Sequence, residues 1–336
     1  MSPFLPWLKL AACAALIGFA GPRLTRYGDI IARRTGLSRS WIGLVLLSTA
    51  TSLPELVTGI SAVTVAGAPD IAIGDALGAC IFNLAILVVL DALHRDEPMY
   101  RRIEQGHILT AGFGVILIGF VGALVLLSRE TPGHRLFHVS AYTPVIVVLY
   151  VVAMRAAYVY ERRAAGALPP ISGSEPGTTL REAVLQYAAA AAVIFAAGAW
   201  LPFVGTELAD AMGWRTSFVG TLFVAASTTL PELVVTVSAV RIGAIDMAVA
   251  NLLGSNLFDV LIVAVDDVAF ADGPLLAAVS PVHAVSAFAA VIMSAIFIVG
   301  LLYRPETRLR GTIGWVSVSL LMVYLLSAYA IYLHGH

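Results

Sequence analysis

Two segments of this 336-residue chain repeat one another, and each sets a glutamate directly behind a proline in an apolar run. The first is A-T-S-L-P-E-L-V from Ala50 to Val57, the second S-T-T-L-P-E-L-V from Ser227 to Val234. Each precedes a further matched block, I-A-I-G-D-A-L-G-A-C-I-F-N ending at Asn83 and M-A-V-A-N-L-L-G-S-N-L-F-D ending at Asp259. Proline lacks an N–H and clashes one turn back, so Pro54 and Pro231 free backbone carbonyls around Ala50 and Ser227. Thr51, Ser52, Thr228 and Thr229 add hydroxyl oxygens beside them. In the companion blocks Asp75, Ala79 and Asn83 share one helix face at four-residue intervals, and Asn251, Ser255 and Asp259 share the equivalent face. A two-fold axis that gathers the four segments would bring Glu55, Asn83, Glu232 and Asp259 together as a cage of carboxylate and amide oxygens. Such a donor set, with neither cysteine nor histidine, suits calcium, sodium or magnesium.

The elements that must position these groups are membrane helices. The chain is 59% hydrophobic and 12% charged, with a mean hydropathy of +0.90, far too apolar for a soluble protein of this length. Ten runs meet the roughly 17–25 residues needed to cross a bilayer: 8–24, 41–63, 71–93, 107–127, 143–160, 185–204, 218–240, 247–268, 282–302 and 311–333. Sixteen of the 20 basic residues fall in the odd-numbered connections. By the positive-inside rule both termini then lie outside the cytoplasm, in the cell (inner) membrane of a prokaryote. An ionised acid costs ~3 kcal/mol at the centre of a membrane helix, so Glu55, Glu232 and Asp259 together forfeit something near 9 kcal/mol unless neutralised. None of the four runs that carry them and their companions contains a lysine or arginine, so the balancing charge must come from solution. The structural alternative is that these acids sit protonated or hydrogen-bonded in kinked helices. Asp91 and Asp267 also correspond in the repeats but lie near span ends, where hydrated helix termini are expected.

Glu55 and Glu232 are 177 positions apart with five spans from one to the other, so the second copy enters the membrane from the opposite face. The expected fold is therefore an all-α polytopic membrane protein of ten transmembrane helices in two inverted five-helix repeats, the plan of secondary transporters. Residues 1–163 form the first repeat (matched block 48–91), 181–336 the second (225–267), and 164–180 a Pro/Gly/Ser-rich cytoplasmic linker. The Arg-rich stretch from Arg23 to Ser40 is expected to continue the first helix along the cytoplasmic surface and anchor it. Leu10-Ala11-Ala12-Cys13 resembles a lipoprotein cleavage box, but Lys9 interrupts the apolar core and the segment reads as the first span. Cys13 and Cys80 imply no disulfide or metal framework. No nucleophile-and-base set accompanies the acids, which argues against an enzyme. The expected partners are the lipid bilayer and transported ions, with no cofactor, no nucleic acid and no obligatory protein partner.

These blocks resemble the α-repeats of the calcium/cation antiporter superfamily, whose sodium/calcium exchangers carry G-T-S-L-P-E followed by G-N-x-x-G-S-N-I-x-N/D. The resemblance implies that Glu55, Asn83, Glu232 and Asp259 are the central cation ligands. It implies that Thr51, Ser52, Thr228, Thr229 and Ser255 supply the surrounding oxygens for sodium and calcium. Alternating access, in which sodium or protons drive calcium, is the implied mechanism, gated by spans 1 and 6. The first repeat departs from the pattern, with Asp75 for the asparagine, Ala79 for the serine and Cys80 for the next asparagine. Ala79 removes a hydroxyl that the family uses for sodium. Asp75 adds a carboxylate that restores cation binding, accepts a proton, or is simply hydrated at the end of its span. The expected activity is calcium/sodium antiport, with calcium/proton exchange as the alternative and a channel as a more distant one.

Overall fold

The computed structural model describes residues 4–94, 98–128, 135–165, 178–212, 224–306, 308–309 and 313–334. Almost all of them are helical: α1 (Phe4–Thr35), α2 (Arg39–Ile42), α3 (Ser48–Thr51), α4 (Leu53–Ser61), α5 (Pro69–Leu93), α6 (Met99–Arg102), α7 (His107–Leu127), α8 (Tyr142–Ala165), α9 (Leu180–Met212), α10 (Ala225–Thr228), α11 (Leu230–Arg241), α12 (Ile245–Ala269), α13 (His283–Tyr303) and α14 (Trp315–His334). Wider π-type turns, Gly43–Leu47 and Ala62–Ala66, join α2 to α3 and extend α4. Nine helical stretches among the described residues are long and apolar enough to cross a membrane, the one at Arg39–Ala66 comprising α2 to α4. The expected seventh span is described only from Val224 onward, as α10 and α11. The expected linker lies for the most part outside the described residues.

Burial runs opposite to that of a soluble bundle. Bulky apolar side chains stand outward on the peripheral helices, among them Phe19 on α1, Val148 on α8 and Leu326 on α14, each at least 60% exposed. The centre holds α5 and α12, whose middle turns are buried on every side. Lipid is the surrounding in which this arrangement is stable.

The two central helices are antiparallel, and their end contacts show it. Asp70, in the first turn of α5, accepts from the Ser280 backbone N–H at 2.7 Å and faces His283 at 2.9 Å, beyond the far end of α12. Asp246, in the first turn of α12, accepts from the Glu104 N–H at 2.8 Å and faces His107 at 3.2 Å, beyond the far end of α5. Each acid also meets the positive end of its own helix dipole. Midway, the helices exchange a reciprocal contact: Asn256 Nδ2 donates to the Cys80 carbonyl at 3.4 Å, and the Cys80 thiol to the Asn256 carbonyl at 3.8 Å. These paired contacts are what a two-fold relation in the membrane plane produces.

Two short hairpins, Arg135–Leu136 with Val139–Ser140 and Arg308–Leu309 with Ile313–Gly314, precede α8 and α14. They correct the expectation for Asp91 and Asp267, which are not hydrated: both are buried, at 1% and 0% exposed. Asp267 collects the Ser140 N–H and hydroxyl, the Tyr142 and Thr143 hydroxyls and the Leu275 N–H. Asp91 accepts from the Gly314 N–H at 2.8 Å and the Ser317 hydroxyl at 2.6 Å. Each carboxylate thus ties a hairpin and the start of a peripheral helix to the core. The Arg-rich stretch does continue α1, to Thr35, and Asp29 within it pairs with Arg33 at 2.9 Å and Arg39 at 2.6 Å.

Replacing Asp267 with alanine strands several buried donors at once. A loss of about 3 kcal/mol or more is expected, larger than for Asp91→Ala, when the two are compared by thermal unfolding in detergent.

Candidate cation-binding site

Both glutamates sit just after a helix break. Ser52 (φ −89°, ψ 6°) and Thr229 (φ −78°, ψ 4°) interrupt their helices in the same conformation, and Pro54 and Pro231 start the next ones. Neither proline donates to the carbonyl four residues back, as a continuous helix would require. Restarting the helix puts Glu55 and Glu232 in the first turns of α4 and α11, where the positive dipole end favours an anion.

All ten residues expected at the site are buried, none more than 3% exposed. Glu232 Oε1 accepts from the Ser52 hydroxyl at 3.3 Å and the Ser255 hydroxyl at 3.4 Å, one from each half of the chain. Asn83 Nδ2 donates to Asp259 Oδ2 at 3.5 Å. The Thr228 hydroxyl reaches Asp75 Oδ1 at 2.9 Å, and Thr51 reaches Asn251 Oδ1 at 3.5 Å, a symmetric pair of cross-repeat contacts. Charges on Glu232, Asp75 and Asp259 all act on Glu55, so the four acids share one region. Of the three roles open to Asp75, hydration at the end of its span does not hold: it is 1% exposed.

Glu55 differs from Glu232. Both of its carboxylate oxygens are buried with no protein partner on another residue. The reason is in two neighbours. Ser255 serves Glu232, but the equivalent position in the first repeat is Ala79, which has no hydroxyl. Ser52 serves Glu232, but its equivalent Thr229 donates to the Ala225 carbonyl of its own helix at 2.6 Å. Asp75 Oδ2, Asn83 Oδ1, Glu232 Oε2 and Asp259 Oδ1 are likewise buried without partners. No lysine or arginine occurs in residues 48–93, 224–240 or 245–269, and Arg241, at the far end of α11, is exposed, so no fixed cation within these segments balances the acids.

Threonines that donate to their own helix carbonyls keep their oxygen lone pairs available, as Thr51 does through Leu47 O at 3.0 Å and Thr229 through Ala225 O. Among the described residues, no three His, Cys, Asp or Glu side chains lie close enough to hold a metal ion by themselves. A cation held here would therefore draw on hydroxyl and amide oxygens as much as on carboxylates, the donor set of hard ions. Close helix approach makes this possible. A Cβ at Gly254 would lie 2.5 Å from the Leu44 carbonyl and 2.8 Å from Ser48 Oγ. Three residues of this region escaped the sequence reading. Thr236 accepts from Asn251 Nδ2 at 3.2 Å, and Gly59 packs against Asp266, whose two oxygens are buried and unpartnered. The signal for Asp266 was present: it lies beside Asp267 in an apolar run, and the first repeat has Leu90 at its position.

Buried, uncompensated oxygens inside an antiparallel pair of internally repeated membrane helices define a polytopic helical membrane protein with a candidate cation site. Comparison with known proteins gives the family. A family model described as sodium/calcium exchanger protein matches residues 5–159 and 182–333, and the chain belongs to that family. It is 29% identical over 252 residues to the inner membrane protein YrbG of Escherichia coli, covering 74% of each chain. It is 28% identical over 268 residues to the sodium/calcium exchanger MaX1 of Methanosarcina acetivorans, covering 69% of this chain and 74% of the relative. A solved structure of the sodium-calcium exchanger NCX_Mj, soaked with 100 mM Na+ and 10 mM Sr2+, has the same fold: TM-score 0.71 at 18% identity, covering 97% of this chain and 98% of the other.

Gly254→Ala drives a methyl group into a backbone carbonyl that cannot turn aside. It is expected to cost about 1–3 kcal/mol and to separate Ser255 from Glu232, readable as a lower unfolding temperature together with weakened cation-dependent stabilisation.

Proposed function

We infer that this protein exchanges calcium for sodium across the membrane, with one central site occupied alternately from either side. The observation that carries the reading is Glu55, whose two carboxylate oxygens are buried and unpartnered among other acids, with no lysine or arginine in residues 48–93, 224–240 or 245–269. A mobile cation, whether a metal ion or a proton, is the remaining source of charge balance. Glu55 and Glu232 are the carboxylates every competing ion uses, Asn83 and Asp259 complete the shell, and Thr51, Ser52, Thr228, Thr229 and Ser255 add neutral oxygens. Mutual exclusion follows from charge: the same carboxylates do not neutralise a divalent ion and a full sodium set together. The printed name of the MaX1 relative, a sodium/calcium exchanger, supports the ion pair.

Gating falls to α1 and α9. The two helices pack along one another, α1 meeting α11 where Gly21 faces Val234 and α9 meeting α4 where Gly198 faces Pro54. Smooth glycine contacts allow peripheral helices to slide over a core held by Asp70, Asp91, Asp246 and Asp267. With the basic residues inside, both termini lie outside the cytoplasm.

A second reading, calcium/proton exchange, is favoured by one observation: Asp75 and Ala79 replace an amide and a hydroxyl in the first repeat only. Purified protein in liposomes separates the two. Under a sodium gradient with protonophore present, calcium flux is expected to persist; flux that stops with the protonophore and ignores sodium would establish proton coupling instead.

Glu55→Gln is expected to reduce calcium exchange at least 100-fold while leaving membrane insertion and monodispersity intact, and retained exchange would remove the central assignment. Ala79→Ser, which offers Glu55 the hydroxyl that Ser255 gives Glu232, is expected to lower the half-saturating sodium concentration several-fold in the same flux assay.

A further inference from the structure

Beyond the central ligands the two sides of the site differ at three positions, two of them in charge. On one side of the Cys80–Asn256 contact, Asn251 donates to the Thr236 hydroxyl at 3.2 Å, and the neighbouring position in α5 is Leu90. That corner is neutral and internally hydrogen-bonded. The corresponding positions on the other side hold Asp75, Gly59 and Asp266. An amide has become an acid, a hydroxyl has become no side chain at all, and a leucine has become a second acid.

Asp266 is fully buried at 0% exposure, and neither of its oxygens has a protein partner. Its neighbour Asp267, equally buried, is held by backbone N–H groups and hydroxyls. A structural aspartate in this fold therefore looks like Asp267, and Asp266 does not. Asp266 faces Gly59, one helical turn beyond Glu55, and a Cβ at Gly59 would run into the Asp266 carboxylate. Asp75 stands on α5, which packs against both α4 and α12, within electrostatic range of Asp266. Asp75 also keeps Oδ2 free while Oδ1 takes the Thr228 hydroxyl.

We propose that Asp266 and Asp75, with the room left by Gly59, form a second cation site on the side of the central site where α4 ends and α5 begins. Its ligand is a hard divalent cation, since two carboxylates contribute two negative charges and three unpartnered oxygens where the opposite corner has none. The site is one-sided, so a cation leaving Glu55 toward that face meets a further pair of carboxylates, whereas one leaving toward the other face does not. The ligand class rests on the cation-antiporter reading given above.

Equilibrium binding of radioactive calcium to the purified full chain in detergent tests this without depending on transport, with a parallel arm using radioactive sodium. Wild-type protein is expected to bind one calcium ion per chain more than Asp266→Asn, or to bind that ion at least tenfold more tightly. Gly59→Ala, which keeps both acids in the chain but puts a methyl group where the Asp266 carboxylate lies, is expected to lose the same ion. Glu55→Gln is expected to lose a different one and to retain the Asp266-dependent ion. Monodispersity on size-exclusion chromatography is required of each variant. Identical calcium binding by wild type and both outer variants would overturn the proposal, as would an ion bound there by sodium alone. Loss of all calcium binding in Asp266→Asn would also overturn it, making Asp266 part of the central site. Unchanged binding in Glu55→Gln with loss in Asp266→Asn would instead refute the central assignment and leave the second site standing.

Discussion

Several carboxylates are closed into a membrane protein whose described site segments, residues 48–93, 224–240 and 245–269, offer them no fixed positive charge, and the rest of the structure is arranged around that constraint. Desolvating one such acid without a partner is costly, and Glu55, Glu232, Asp75, Asp259 and Asp266 all occupy the interior. Glu232 is partly satisfied by hydroxyls from both halves of the chain. Glu55 has none. Departures of the first repeat from the second therefore raise the demand for an ion at one carboxylate more than at its symmetry mate.

Holding such a site open against collapse requires rigid surroundings, and the chain supplies them by using other acids as clamps. Asp70 and Asp246 fasten the starts of α5 and α12 to the segments beyond each other's ends, while Asp91 and Asp267 fasten the hairpins. These four acids have hydrogen-bond donors from the protein itself. The same residue type thus serves two purposes in one molecule, separated by whether donors surround it. Helix breaks at Ser52 and Thr229 then turn two glutamates into first-turn residues, so backbone dipoles share the task of accommodating them.

Much of this was legible in the sequence, because spacing is a strong constraint on a helix. Four-residue intervals placed Asp75 and Asn83 on one face, and the Pro-Glu repeats fixed the positions of the breaks. The membrane character and the helical architecture followed from apolar run lengths. What the sequence hid depended on contacts across long separations. Asp91 and Asp267 read as hydrated because nothing local announces that two-residue strands fold back over them. Thr229 matched its repeat partner Ser52 by position, yet its added methyl and its own carbonyl neighbours leave it bonded within its helix. Asp266 has no acidic counterpart in the first repeat, where Leu90 stands, so agreement between the repeats does not announce it.

The peripheral pair α1 and α9 carries a mechanical consequence. They pack along each other and are joined near one end by Lys9 and Glu207, 2.6 Å apart, while each touches a different half of the site. Two rods bound together and resting on opposite sides of a pivot behave as a see-saw: lowering one end lifts the other. In the exchange mechanism proposed above, such coupling would keep the site from opening to both faces at once without a separate latch.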